Sequence, residues 1–181
     1  MRLSLTPHPA TPCRAVTAIT VEVTRGRGGT LRLCYTVSGE IDALAMPGPA
    51  APERADDLWR LTCFEAFVRP TADGAYFEFN LSPSGRWAAY AFSGYREGMA
   101  DLAIPAPRID VRRDAARFEL EADLDLGSAP GLPPDAPWRL GLSAVIEEAG
   151  GQKSYWALAH PPGKPDFHHP DTHDLPAVEQ P

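Results

Sequence analysis

An all-β fold, a single-domain antiparallel β-sandwich, is what this sequence predicts, and three observations carry it. About nine short segments alternate apolar and polar residues with the period of two that sends successive side chains to opposite faces of a strand. Clusters of Gly, Pro, Asp and Ser with turn-forming character separate them. No stretch sustains the 3.6-residue period of an amphipathic helix or carries helix caps, and no internal repeat of fixed period is present.

In order along the chain, 16–24 places Ile19, Val21 and Val23 on one face, and 30–37 does the same with Leu31, Leu33, Tyr35 and Val37. The glycine-rich Arg25–Gly29 between them makes a hairpin. The Ala- and Pro-rich 41–57 predicts a connecting loop with a short extended piece. Strands are then expected at 62–68 and 75–81, reversed by the Pro- and Asp-Gly-bearing loop 69–74, and at 86–92 after the turn Ser82-Pro83-Ser84-Gly85. A further hairpin joins 109–113 to 117–124, with Phe118, Leu120, Ala122 and Leu124 inward and Glu119, Glu121 and Asp123 in solvent. The last hairpin pairs 138–146 with 153–158 through Glu148-Ala149-Gly150-Gly151. From His160 onward Pro and His dominate, and the tail is expected to run over the surface.

The chain has 181 residues, 44% of them hydrophobic, enough for one domain with its own core. That domain is expected to span 1–181, its core over about 14–160 and its His- and Pro-rich tail over 160–181. A net charge of -7 without any basic cluster argues against nucleic acid and anionic membranes as partners. The N-terminal Met1–Pro9 lacks the apolar core of a signal peptide, and no run approaches the ~20 apolar residues of a membrane span, so a cytoplasmic location is expected. Three cysteines without CxxC spacing form no disulfide framework and fit a reducing compartment; Cys34 and Cys63 alternate inside strands as ordinary sheet residues. Abundant Ala, Arg and Pro fit a GC-rich bacterial genome.

The candidate site lies in 57–99. If the apolar faces of 62–68 and 75–81 match, Phe64 lies near Phe79 and Ala66 near Phe77, which brings Glu65 close to Glu78 and Cys63 close to Asn80 on the opposite face. A one-residue slip would bury the carboxylates among phenylalanines, so the parity is fixed, while a slide by two keeps it. Like charges facing across a hairpin are unfavourable by roughly 0.2–1 kcal/mol unless a cation, a proton or a ligand hydroxyl lies between them.

The run Leu58-Trp59-Arg60-Leu61-Thr62-Cys63-Phe64-Glu65-Ala66-Phe67, followed by Tyr76-Phe77-Glu78-Phe79-Asn80-Leu81-Ser82-Pro83-Ser84-Gly85-Arg86-Trp87, resembles DOMON-like domains and, among them, family 9 carbohydrate-binding modules. The resemblance implies a jelly-roll or immunoglobulin-like sandwich whose concave sheet binds a sugar or a b-type haem. In the sugar-binding relatives two tryptophans clamp the ring while a glutamate, an arginine and amides bond its hydroxyls. Here Trp59 matches the first tryptophan, Glu65 the glutamate, Arg86 the arginine and Trp156, more loosely, the second tryptophan. With Glu78 and Asn80 these residues suit a saccharide: indole stacks on the apolar ring face, and Arg, carboxylate and amide groups satisfy the hydroxyls. The expected function is a non-catalytic module for a saccharide or sugar-containing metabolite.

Three other chemistries are weighed. Haem would draw on Met46 or Met99 with His160 or Lys153, none at a position matching a haem ligand and without a CxxCH. A structural metal could use His160, Asp166 and His168 if the tail folds back over the cleft, although their spacing fits no standard motif. A carboxylate-pair glycoside hydrolase could use Glu65 and Glu78; a strongly raised pKa in a deep cleft would favour it, and an open groove walled by Trp would favour binding. No Ser-His-Asp or Cys-His set is evident, and no catalytic residue is assigned.

Overall fold

Alternation becomes strand wherever it occurs in this chain. A computed structural model describes residues 1–70 and 74–173. Among these described residues the strands are β1 (Arg2–Pro7), β2 (Val16–Arg25), β3 (Thr30–Gly39), β4 (Cys63–Pro70), β5 (Tyr76–Leu81), β6 (Trp87–Phe92), β7 (Ala100–Asp101), β8 (Arg108–Arg113), β9 (Arg117–Asp125), β10 (Trp138–Glu147) and β11 (Lys153–Ala157). They form one antiparallel sheet in the order β7-β6-β5-β4-β10-β11-β1-β2-β3-β9-β8. Among the described residues no helix is long and apolar enough to cross a membrane.

The sheet curls on itself, because strands far apart in that order touch. The Phe64 ring of β4 stacks on Phe118 of β9 at 5.6 Å and lies 5.1 Å from Tyr35 of β3. The Tyr35 hydroxyl donates to the Glu65 carbonyl at 2.7 Å. The strand that turns the corner is β1, whose Arg2–Leu5 pair with β2 while Thr6 and Pro7 pair with β11. Between the two halves lies a continuous apolar core, with Phe64, Phe79, Leu142 and Trp156 from one side and Val21, Leu33, Tyr35 and Phe118 from the other.

The structure departs from the sequence expectation in three respects. The strands β1 and β7 were not expected: β1 is too short and too exposed to alternate cleanly, and β7 has only two residues. The β4–β5 register is slid by two, pairing Glu65 with Asn80, Phe67 with Glu78 and Ala66 with Phe79, so parity holds while Glu65 and Glu78 become diagonal neighbours. The loop expected at 69–74 includes 71–73, outside the described residues. The tail, described as far as His173, is packed rather than spread on the surface: Phe167, Thr172 and His173 are buried; residues 174–181 lie outside the described residues.

Replacing Phe118 by Ala removes the ring that stacks across the curl. It is expected to cost about 3–5 kcal/mol in urea denaturation, the range for a buried aromatic truncated in a core; a loss below about 1 kcal/mol would contradict the contact.

Candidate functional site

Because β4 and β5 alternate, the face opposite the core carries Cys63, Glu65, Phe67, Tyr76, Glu78 and Asn80, every one of them buried. A sheet facing water on that side would expose them. The cover is the segment 161–173, which folds back across the sheet. Phe167 joins Phe67, Tyr76, Tyr90, Phe92 and Val145 in a second apolar cluster. His173 stacks on Phe67 at 5.0 Å and hydrogen-bonds through Nε2 to the Phe167 carbonyl at 2.9 Å. Gly141 of β10 makes room for it, since a Cβ there would stand 2.2 Å from His173 Cδ2.

Under this strap a cavity of about 290 Å³ remains, near the lower end of small-molecule sites. Its floor is Glu65, Glu78, Phe92, Val145 and Tyr155 from the sheet, its walls are Trp59, Arg96 and Met99, and its cover is Pro165, Phe167 and His168. The wall loops hold unusual backbone. Asp57, just before the 3-10 turn Leu58–Arg60 that presents Trp59, has φ 61°, and Arg96 has φ 56°; among the described residues these are the non-glycine positions with positive φ. Side chains beyond glycine adopt that region at a cost, and such residues gather at ligand sites.

The electrostatics are dominated by burial. Glu65 is 3% exposed and Glu78 5%. Loss of water pushes the Glu65 carboxyl well above the usual carboxylate range, and neighbouring Glu78 pushes it further. Ser143 stands opposite Glu65 in the β4–β10 register, yet neither its Oγ nor Oε1 of Glu65 makes a hydrogen bond. Burial likewise raises Glu78, to about 7, against the Asn80 amide, which donates to Oε1 at 2.7 Å, and the nearby Arg96 charge.

His168 closes the far side. Burial lowers it to about 4, so it is neutral at neutral pH. The Tyr76 hydroxyl accepts the Arg96 backbone N–H at 3.2 Å and lies 2.7 Å from His168 Nδ1. His168 Nε2 lies 3.8 Å from Oε2 of Glu78. Asp166 ties the strap to the wall loop, taking Arg96 at 2.8 Å, the hydroxyl of Tyr95 and the backbone N–H of His168.

Trp59, Glu65 and Glu78 meet at the cavity, Trp59 with 36% of its surface exposed and its ring edge-on to Tyr90. Asn80 sits behind, holding Glu78. Arg86 and Trp156 are not brought there. Arg86 closes the turn before β6 and pairs with Glu53 at 2.7 Å; Trp156 faces the core, its indole N–H on Ser154, while its neighbour Tyr155 faces the cavity. Arg96, Tyr155 and Phe167 were not singled out by sequence. Arg96 lies in an aperiodic loop, and Tyr155 would have emerged only from the β10–β11 register, which pairs Val145 with it and Ala144 with Trp156.

The residues weighed for haem and metal are dispersed. Met46 packs on the core, His160 Nε2 bonds the Thr6 carbonyl, and Lys153 Nζ bonds the Arg60 carbonyl, while Met99 lines the cavity. Asp166 and His168 are joined in the strap, with His160 beside His8 instead. Among the described residues no three His, Cys, Asp or Glu side chains gather as a metal would need.

No protein-family model and no curated protein matches the chain, so the DOMON-like resemblance has no family match behind it. Among solved structures, a protein from Bacteroides uniformis ATCC 8492 provisionally described as carbohydrate-binding is similar at a TM-score of 0.67 and 15% identity, over 95% of this chain and 83% of that one. At that identity the likeness shows the fold. A family 9 carbohydrate-binding module from Caldicellulosiruptor kristjanssonii, in complex with glucose, has a TM-score of 0.48 and 9% identity over 81% of this chain and 69% of that one; so loose a likeness carries no argument.

Stability should register the buried acid. Between 4.5, its ordinary value, and about 7, folded Glu78 holds a proton that the unfolded chain has released, so stability falls as pH rises through that window. The depressed His168 and His173 act oppositely, removing stability as pH falls from 6.5 towards 4. Glu78→Gln removes the first effect, lessens the rise of Glu65 and leaves the histidines' effect in place. Against the wild type it should gain on the order of 3 kcal/mol in urea denaturation between the two ends of the Glu78 window; parallel pH profiles would contradict the shift.

Proposed function

We infer that the cavity binds one small polyhydroxylated ligand, a saccharide or sugar-containing metabolite, and that the chain is a binding module with a sandwich fold of the carbohydrate-binding-module kind. The observation that carries this reading is a buried carboxyl oxygen without a partner, Oε1 of Glu65, in the same cavity as the partly exposed indole of Trp59. A buried polar atom left unpaired is unfavourable by about 1–3 kcal/mol, which a ligand hydroxyl recovers. The indole face offers the apolar side of a sugar ring its partner. Glu78, held by Asn80, supplies an acceptor, and Arg96 supplies donors at the wall. The likeness to the Bacteroides protein is consistent with this use of the fold. We place the protein in a reducing compartment such as the cytoplasm, in keeping with Cys13, Cys34 and Cys63 as free thiols.

A second reading has one observation in its favour. Two neighbouring buried carboxyls, both raised above the usual carboxylate range, suit acid–base chemistry. Glycoside hydrolysis would use the pair as acid and carboxylate. Turnover of aryl glycosides would establish it; saturable binding without turnover supports the module.

Titration calorimetry with a panel of monosaccharides tests the site. Trp59→Ala or Glu65→Gln should weaken binding by ~1–3 kcal/mol with unchanged circular dichroism, and Arg86→Ala should bind as the wild type. Equal affinity in the Trp59 and Glu65 variants would reject this site.

A further inference from the structure

The lining of the cavity is acidic in excess. Glu65 and Glu78 both reach it, and Asp166 stands at its edge, whereas Arg96 is the one cationic side chain among the described lining residues. That guanidinium already serves Asp166 at 2.8 Å. His168 contributes no positive charge, because burial lowers it to about 4. The other titratable groups that act on the pair are Tyr35 from β3, Cys63 from β4, and Tyr76 and Tyr90 from β5 and β6; burial raises each of them, so they too remain neutral. Two buried carboxyls thus share one committed guanidinium, and protons make up the balance.

The apolar lining adds a second, independent preference. Trp59, Phe92, Tyr155 and Phe167 surround the same space. Ring faces attract cations, most strongly where water is excluded. A neutral hydroxyl can satisfy Oε1 of Glu65, but a cation adds a charge interaction with the carboxyls and with the rings.

We propose that the ligand carries a free ammonium group, so that within the saccharide reading, on which this inference rests, it is an amino sugar rather than a neutral one. The ammonium replaces a proton: the carboxylic acid releases H⁺ to solvent, its carboxylate takes the N–H donors, and the buried charge stays balanced. No covalent bond changes. Uronic acids and other anionic sugars should bind less well than glucosamine, since their carboxylate would meet two buried acidic groups and a guanidinium already paired with Asp166.

Calorimetric titration of the full chain with glucosamine, N-acetylglucosamine, glucose and methylammonium tests this, run near pH 6, below the value of about 7 for Glu78, in phosphate and in MES. Glucosamine should bind at least about tenfold more tightly than glucose or the N-acetyl sugar, the scale of one desolvated cation contact. The two buffers, which differ in heat of protonation, should report release of up to one proton, and Glu65→Gln should shrink the preference. Glucose or N-acetylglucosamine binding as tightly as glucosamine overturns the ammonium inference and leaves the saccharide reading standing. Silence of all three sugars overturns the saccharide reading, and methylammonium then decides the rest: uptake with proton release supports the cation site, and no uptake overturns it.

Discussion

Successive residues of a strand point to opposite faces of its sheet, and in β4 and β5 both faces are buried. One face has a simple reason, the core between the two halves of the curl. The other is dry because the segment up to His173 lies across it, its His173 ring seated over Gly141 and Phe67. Position 65 and position 78 fall on this second face by parity alone, so two carboxyls enter a space from which most water has been removed. An isolated buried carboxylate is costly, and the protein answers with protons, an amide from Asn80 and a shared guanidinium instead of a paired cation.

The rest of the site follows from what encloses that pair. The corner strand β1 joins the two halves of the sheet and fixes β11, which sends Tyr155 to the cavity and Trp156 to the core. Left-handed backbone at Asp57 and Arg96 aims the turns that carry Trp59 and the guanidinium. Asp166 then links one of those turns to the strap, so the cover and the wall are held by the same ion pair. The Tyr76 hydroxyl bridges the Arg96 amide and His168, whose Nε2 faces Glu78. Tyr76 and Asp166 thereby link sheet, wall and cover.

Much of this was legible in the sequence, and the limits have physical causes. Strands with one apolar face, such as 117–124, announce themselves by alternation, and so did the parity that sets Glu65 and Glu78 on one face. Parity says nothing of a slide by two, and the true β4–β5 register moved Glu65 opposite Asn80. Arg86 looked suitable from its place after the turn, but Glu53 claims it, while Arg96 lies in a loop where no period points to a face. Trp156 and Tyr155 are adjacent and aromatic, so only the strand's partners decide which one faces inward. The tail reads as polar and proline-rich, yet Phe167 and His173 are enough to dock it, because the sheet it meets is aromatic.

The claim on which this reading depends is that the strapped cavity keeps a carboxyl protonated at neutral pH. Side-chain carboxyl NMR of the ¹³C-glutamate-labelled protein, assigned by Glu65→Gln and Glu78→Gln, measures it directly. Both carboxyls should titrate above the ordinary 4.5, Glu78 with a midpoint of about 7. Two glutamates that both ionise at the ordinary value of 4.5 would mean that the cavity is wet and its charge unmanaged, and the account of the site would fall with it.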